Sequence, residues 1–366
     1  MPSTILSMRR SKSGVLRGLF TGATVRCVDS MRIQEFNLGP HIRDISGGST
    51  WRQHNASVGV SGANACIGDK SYFSVGSGIT LYDTSGGSVY IVESDDLGVR
   101  SLGDSRGNST DVAPSVFYAS GGLLYVGGAF TSTLAGAPLA SAGIWDPATE
   151  LWTAMDNTFS NTINAFVFVG ATLYAGGMMG LTPPFGSDPT DVWYYGSGVW
   201  NVLNDKLRYS IFGSIVSQAV SYGGNLVVSG SIAQSDNTGL NCYGLAMYDG
   251  TNFVRFGPNP GLQNGASVGT GSSLLVYNGD LVVAGTFDTA GGVACNFVAR
   301  WDGATFNDMG TGLPSAPTWV NEFVGDLYAG VSNFLYKWNG ASWDLVSAPD
   351  IPPVLGPFGR LFSYPN

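Results

Sequence analysis

Leu281-Val-Val-Ala-Gly285-Thr-Phe287, followed by Asn296-Phe-Val-Ala-Arg-Trp301-Asp302-Gly303 and Phe306, decides how this 366-residue chain reads. The first half is a short apolar run that ends on glycine. The second is a short apolar run that ends on an aromatic residue and an Asp-Gly turn. Short β-branched and aromatic runs bounded by Gly and Asp are strand signals, so each half is expected to form a strand of an antiparallel sheet.

Outward from this stretch, the same pattern returns from Val112 onward in Leu124-Tyr-Val-Gly-Gly128, Leu173-Tyr-Ala-Gly-Gly177, Leu226-Val-Val-Ser-Gly230 and Leu327-Tyr-Ala-Gly330. With Leu281 included, the leucines are spaced by 49, 53, 55 and 46 residues, close to the roughly 40 to 50 residues that mark propeller blades. Ahead of each leucine strand stands a turn, Gly121-Gly122, Gly170, Gly223-Gly224, Asn278-Gly279 and Gly325-Asp326, whose residues supply the positive φ of tight hairpins. The strands entering those turns contain Phe117, Phe166, Val220, Leu275 and Phe323. Later in each copy an aromatic residue meets a second turn, at Trp145, Tyr194, Tyr248, Trp301 and Trp338. A second aromatic follows at Trp152, Trp200, Phe253, Phe306 and Trp343. Each repeat therefore reads as four short strands. Such a sheet cannot bury both faces alone, whereas twisted sheets arranged radially bury each face on a neighbour.

Before Val112 the pattern is degraded. Residues 71–76, 79–83 and 88–93 read as a compact three-stranded run, and residues 14–20, 23–28 and 31–36 as strands of a further blade. Residues 104–111 read as a connecting loop, and no segment reads as a helix. The orphan strand at 359–364 is expected to pair with the first blade, because an open edge strand invites aggregation. The expected fold class is all-β: a single β-propeller of four-stranded antiparallel blades, seven with six as the alternative count, its ring closed by the N- and C-terminal strands. An N-terminal arm, 1–14, precedes a propeller of 15–366, divided into irregular blades 15–111, regular blades 112–347 and a closing strand 351–366.

Composition agrees with a turn-rich sheet protein. The chain has 53 Gly, 12% aromatic residues and 12% charged residues, against roughly 25% charged in an average soluble domain. A net charge of −9 and a pI near 4.6 argue against nucleic acid or an anionic membrane as partner. The basic group Arg9, Arg10, Lys12 and Arg17 reads as a solvated arm. Arg17 interrupts the only apolar run near the N-terminus, so a secretion signal is not expected. No run reaches the ~18 apolar residues of a membrane helix, so insertion is not expected either. Cys27, Cys66, Cys242 and Cys295 are scattered without a CxxC pair and read as buried free thiols.

The glycine doublets Gly127-Gly128 and Gly176-Gly177, the Trp/Tyr-Asp-(Gly/Pro) turns and the aromatic after them resemble the kelch-like propellers, the superfamily of the galactose oxidase central domain. The copy from Leu281 through Trp301-Asp-Gly303 to Leu313 is similar to Gly-rich repeats of phage virion and bacterial surface proteins. The resemblance covers residues 112–347. It implies a propeller fold and a structural or interaction role.

Chemistry has little to work with. The two histidines, His41 and His54, stand in no nucleophile motif. A galactose-oxidase-type copper site would need two His and two Tyr in a matching context, which is absent. No catalytic, cofactor-binding or metal-binding residue is expected, and Asp104, Asn108 and Asp111 lack the spacing of a calcium loop. The function expected is a non-enzymatic structural or interaction protein, a tail or capsid-associated component of a phage or virus particle. It would be assembled in the host cytoplasm, or alternatively displayed at an extracellular surface, and would bind other virion proteins in a multimeric assembly. Loops at 131–139, 178–190 and 232–241 are expected to face outward. The alternative is a carbohydrate-binding propeller recognising a host-surface glycan, with Phe185, Trp193 and Tyr195 as stacking residues. A glycan-active hydrolase using carboxylates such as Asp95, Asp96, Asp188 and Asp191 stands third.

Overall fold

The structure is a computed structural model. It describes the strands of residues 9–101, with a few of their side chains, then Leu102 and residues 106–155, 162–178, 192–208, 215–323, 325–332 and 334–346. Phe185, both histidines, Asp96, Asp188, Asp191 and the expected closing strand within 351–366 lie outside the described residues.

Contacts divide the chain into two compact units, Met1–Ala154 with Val346–Asn366, and Met155–Leu345. Seven four-stranded antiparallel sheets follow one another along the described chain and are numbered here as blades 1 to 7. The first unit holds three. Blade 1 is Arg9–Arg10, Leu16–Leu19, Ile42–Ile45 and Trp51–Gln53, blade 2 is Val60–Ile67, Lys70–Ile79, Val89–Asp95 and Gly98–Ser101, and blade 3 is Pro114–Ser120, Leu123–Gly128, Ala142–Asp146 and Leu151–Ala154. The second unit holds four. Blade 4 is Thr162–Val169, Thr172–Met178, Val192–Gly196 and Val199–Val202, and blade 5 is Ile215–Tyr222, Asn225–Ser231, Leu245–Tyr248 and Phe253–Val254. Blade 6 is Thr270–Tyr277, Asp280–Thr286, Val298–Trp301 and Phe306–Asp308, and blade 7 is Trp319–Phe323, Asp326–Val331, Phe334–Trp338 and Trp343–Leu345. The described residues include a short 3-10 turn at Arg106–Asn108.

The expected strands of blades 3 to 7 form, and the paired aromatics meet. Trp145 stands opposite Trp152, Tyr248 opposite Phe253, Trp301 opposite Phe306 and Trp338 opposite Trp343. In blade 4 the partner of Trp200 is Tyr195 rather than Tyr194. Such contacts are tilted or edge-to-face, with ring centroids 5.0 Å apart for Trp301 and Phe306, and each adds about 0.5–1.5 kcal/mol beyond area burial.

The leucine strand of blade 6 shows why the blades stack. Side chains alternate across a strand, and both faces of Leu281-Val-Val-Ala284 are buried. Leu281 and Val283 join a cluster with Val227, Leu245, Phe256 and Trp301 on the blade 5 side, while Val282 and Ala284 join Met309, Val320, Leu327 and Trp343 on the blade 7 side. A continuous apolar run is what a strand buried on both faces requires. Side chains also stitch neighbours together: Asn164 Nδ2 donates to the Val216 carbonyl at 3.2 Å, and Ser273 Oγ donates to the Val320 carbonyl at 3.1 Å and accepts from its N–H at 2.9 Å.

The glycine that ends the leucine strand has a local cause. In blades 3 to 6 the first strand carries a bulge, between Pro114/Val116, Ile163/Ala165, Val216/Gln218 and Gly271/Ser273. The bulge pushes its backbone against the second strand. A Cβ at Gly285 would run into the Thr270 carbonyl oxygen, as one at Gly177 would into that of Thr162.

The N-terminal third departs from expectation in two places. Residues 71–79 are one strand, Lys70–Ile79, whose register shifts between Ser74 and Ile79. Gly76 and Gly78 thus mark an irregularity rather than a turn, and blade 2 has four strands where the sequence suggested three. The segments Ala23–Asp29 and Arg32–Leu38 pair with each other as a separate hairpin inserted between strands of blade 1.

Candidate binding surface

The Trp-Asp-Gly turns are spent on architecture. Asp302 Oδ1 accepts the N–H groups of Ala304 and Thr305 at 2.9 and 2.8 Å, and Asp249 Oδ1 those of Thr251 and Asn252, both at 2.9 Å. Asn339 does the same for Ala341 and Ser342 with a neutral side chain. These bonds favour the carboxylate form. The N–H groups of Thr305 and Ala304 hold the Asp302 carboxyl at about 2, and backbone N–H groups keep Asp146 and Asp249 below the ordinary range.

The opposite end of the blades carries the feature that sequence reasoning missed. In blade 5 the segment leading into the first strand pairs with the loop that follows the second, as the two-stranded sheet Leu207–Arg208 with Gln234–Ser235. In blade 6 the equivalent pairing is a small sheet of Ser267–Val268, Leu262–Asn264, Thr289–Ala290 and Val293–Ala294. Blade 3, in the other unit, repeats the device through a bridge of Thr110 with Thr133. Each cap is pinned by one carboxylate. Asp111 accepts Thr131 N at 3.0 Å and Thr131 Oγ1 at 2.6 Å. Asp288 accepts Gly265 N at 2.8 Å and Thr289 Oγ1 at 3.0 Å.

Asp205 is the most embedded of the three, 1% exposed. Its Oδ1 accepts the N–H groups of Lys206 and Asn237 at 2.8 and 2.9 Å, and its Oδ2 accepts Ser235 Oγ and Phe253 N, both at 2.6 Å. A buried carboxylate persists when its lone pairs are filled in this way. Arg208 adds an ion pair to Asp236, with Nη2 3.0 Å from Oδ2.

The loops close by a shared route. Ser141, Gly244 and Phe297 stand four residues before the aromatic of the third strand in blades 3, 5 and 6, all at positive φ, 68°, 74° and 66°. Each carbonyl accepts the N–H of the glycine that ends the second strand in blade 3 or stands next to its end in blades 5 and 6: Gly128, Gly230 and Gly285. The caps of blades 5 and 6 adjoin, since Leu262 N donates to the Tyr243 carbonyl at 2.5 Å. Together they present small neutral side chains, among them exposed Asn204, Asn237, Thr238, Ser267 and Asn296.

The residues singled out for sugar stacking lie elsewhere. Trp193 is 2% exposed within the third strand of blade 4, and a ring so enclosed offers no face to a ligand. Tyr195 leans on Trp200 with centroids 5.0 Å apart. Tyr194, between them on the opposite face, is partly exposed beside Tyr174 at 6.4 Å. The expected outward loops 131–139 and 232–241 are the capped loops of blades 3 and 5, whereas 178–190 lies outside the described residues apart from Met178.

Cys242 and Cys295 occupy the same position in the caps of blades 5 and 6 and are buried free thiols. Burial pushes them up to about 11 and about 12. Cys27 and the Cys66 side chain lie outside the described residues. Among the described residues no group of three or more His, Cys, Asp or Glu is placed to hold a metal ion, and no helix is long and apolar enough to cross a membrane.

No protein-family model matches the sequence, and no curated protein matches it. Solved structures do. The computationally designed Ika8 protein is similar over 100% of this chain and 92% of its own, at 14% identity and a TM-score of 0.54. The extracellular domain of the putative hybrid two-component system BT4673 from B. thetaiotaomicron is similar over 90% of this chain, at 12% identity and a TM-score of 0.52, and this chain spans 37% of that one. The WD40 repeats of RRP9 are similar over 84% of each chain, at 12% identity and a TM-score of 0.50. Likeness at such identity speaks of fold alone. Taken with the seven consecutive four-stranded sheets, it identifies the fold of this chain as a β-propeller.

Proposed function

We propose that this chain is a non-catalytic interaction platform, a propeller of the kelch-like kind that serves as a structural component of a phage or virus particle and meets a partner protein through the capped loops of blades 5 and 6. The observation that carries this reading is the capping itself. Asp205, Asp288 and the Arg208–Asp236 pair are bonded within these loops, so the loops are held in one arrangement. A surface ordered in advance loses little conformational entropy when a partner docks, which favours affinity for a given area. The particle setting rests on the similarity of residues 281–313 to Gly-rich virion repeats. Fractionation of particles from the native host, followed by mass spectrometry, tests it: the chain should co-purify in fixed proportion to the main structural proteins, and its absence from washed particles would end the proposal.

A second reading, binding of a surface glycan, is favoured by one observation. Tyr174 and Tyr194 lie side by side, partly exposed, where blade 4 packs on the blade 5 core, and among the described residues no group donates to or accepts from their hydroxyls. Aromatic faces with polar tips suit sugars. A glycan array without saturable binding by the intact protein would dismiss this reading.

A further inference from the structure

We infer that the Asn278-Gly279 hairpin turn of blade 6 is a site of spontaneous deamidation and isoaspartate formation, and that the structure shields the chain's other Asn-Gly pairs from the same reaction. The chain has three such pairs, Asn264-Gly265, Asn278-Gly279 and Asn339-Gly340. In each the reaction needs the glycine nitrogen to attack the asparagine Cγ. A bond forms between that nitrogen and Cγ, the Cγ–NH2 bond breaks, and ammonia leaves. Water then opens the cyclic imide at one carbonyl or the other, giving aspartate or isoaspartate. The attack requires a glycine N–H free to lose its proton and a side-chain amide free to turn toward it.

Two of the pairs lack one of these freedoms. At Asn264 the nucleophile is occupied, because Gly265 N donates to Asp288 Oδ2 at 2.8 Å. At Asn339 the electrophile is fixed. Its Oδ1 accepts the N–H groups of Ala341 and Ser342 at 2.8 and 2.9 Å, and its Nδ2 donates to Asp344 Oδ2 at 2.7 Å and Ser342 Oγ at 2.9 Å. Turning the Asn339 side chain would break all four bonds.

Asn278 has neither restraint. Tyr277 pairs with Asp280 across a two-residue turn whose central residues both have positive φ, 50° at Asn278 and 88° at Gly279. This is the type I′ geometry, in which the central N–H groups stay outside the ladder. Asn278 is exposed, and among the described residues no hydrogen bond holds its amide and no atom lies within 4 Å of a Cβ built on Gly279. The positive φ of Asn278 is a conformation that L-residues adopt at a cost, so the rearranged backbone gives up little. The product places a second carboxylate beside Asp280, which is already paired with Arg300 at 3.0 Å. In its isoaspartate form it lengthens a turn that fits two residues only.

Peptide mapping of the intact protein, aged in warm, mildly alkaline buffer, reads the reaction as the mass change of replacing NH2 by OH, with isoaspartate resolved by retention time. Asn278 should convert at least about tenfold faster than Asn264 or Asn339, a factor that corresponds to ~1.4 kcal/mol and so to about one protecting hydrogen bond. The same chain aged in denaturant should lose that order, the three sites converging. In Asp288→Ala, Asn264 should speed up while Asn278 stays unchanged. Equal rates in the folded protein, the same order in denaturant, or an unmoved Asn264 in a folded Asp288→Ala variant would each overturn the assignment.

Discussion

Replacing Asp205 by alanine removes the acceptor that joins three segments of blade 5: the lead-in at Lys206, the loop at Ser235 and Asn237, and the fourth strand at Phe253. Ser235 is fully buried and Phe253 is in the core, so their O–H and N–H would lose a partner where water does not reach. A buried donor stranded in this way costs about 1–3 kcal/mol. Two such donors, with a smaller loss at the exposed Asn237, give a total of roughly 3–5 kcal/mol, the range seen when one member of a buried charged network is removed. Asp205→Asn keeps one acceptor oxygen and should lose about half as much. Urea denaturation read by tryptophan fluorescence gives the shift in midpoint, and hydrogen exchange gives its location. The amides of Ala233, Ser235 and Asp236 should exchange faster in proportion, because their bonds to Arg208, Leu240 and Lys206 hold only while the cap stays down. A loss under ~1 kcal/mol with unchanged exchange across the loop would refute the view that this carboxylate pins the cap.

Other expectations follow from the blade geometry. Gly285→Ala drives a methyl group into the Thr270 carbonyl and should cost roughly 3 kcal/mol or more, while Gly279→Ala, with open space around it, should cost only about 1 kcal/mol from its positive φ; denaturant midpoints of the two variants compare them directly. Asp302 is depressed to about 2, and Asp146 and Asp249 are also depressed, so their stabilisation is fully present above the unfolded carboxylate value near ~3.9 and fades as pH falls through the folded value. Melting temperature should therefore drop between about pH 4 and pH 2. Asp302→Asn, which copies the arrangement of Asn339, should flatten part of that drop. With thiols raised to about 11 and about 12, Cys242 and Cys295 should resist alkylation in the folded protein at neutral pH and react once it is unfolded; rapid native labelling at either would contradict their placement.

Much of the fold was legible because blade packing is written locally. The continuous apolar run Leu281 to Ala284, the positive-φ pair at Gly223-Gly224 and the facing of Trp301 with Phe306 are each written in residues of a single repeat. The caps were not legible. Their strands, such as Leu207–Arg208 and Gln234–Ser235, are two residues long and carry no periodicity. The carboxylates that fix them act at a distance, Asp205 reaching Phe253 across 48 residues. Residues 71–76 and 79 onward read as separate strands, whereas Lys70–Ile79 is one, because a glycine inside a strand can mark a bulge rather than the strand's end. Trp193 and Tyr195 attracted notice as aromatics, yet alternation sends them to the face that holds Trp200 and puts Tyr194 on the other, packed with Tyr174 against the blade 5 core.

The central claim is that the capped end of blades 5 and 6 meets another protein. Lys206 lies at that end, next to Asp205, whereas Lys337 lies toward the hairpin end of blade 7, bound to Asp326 at 2.7 Å. Lysine-directed cross-linking of the native assembly, read by mass spectrometry, distinguishes the two ends. The account predicts links from Lys206 to a different protein and none from Lys337; partner links confined to Lys337 would contradict it.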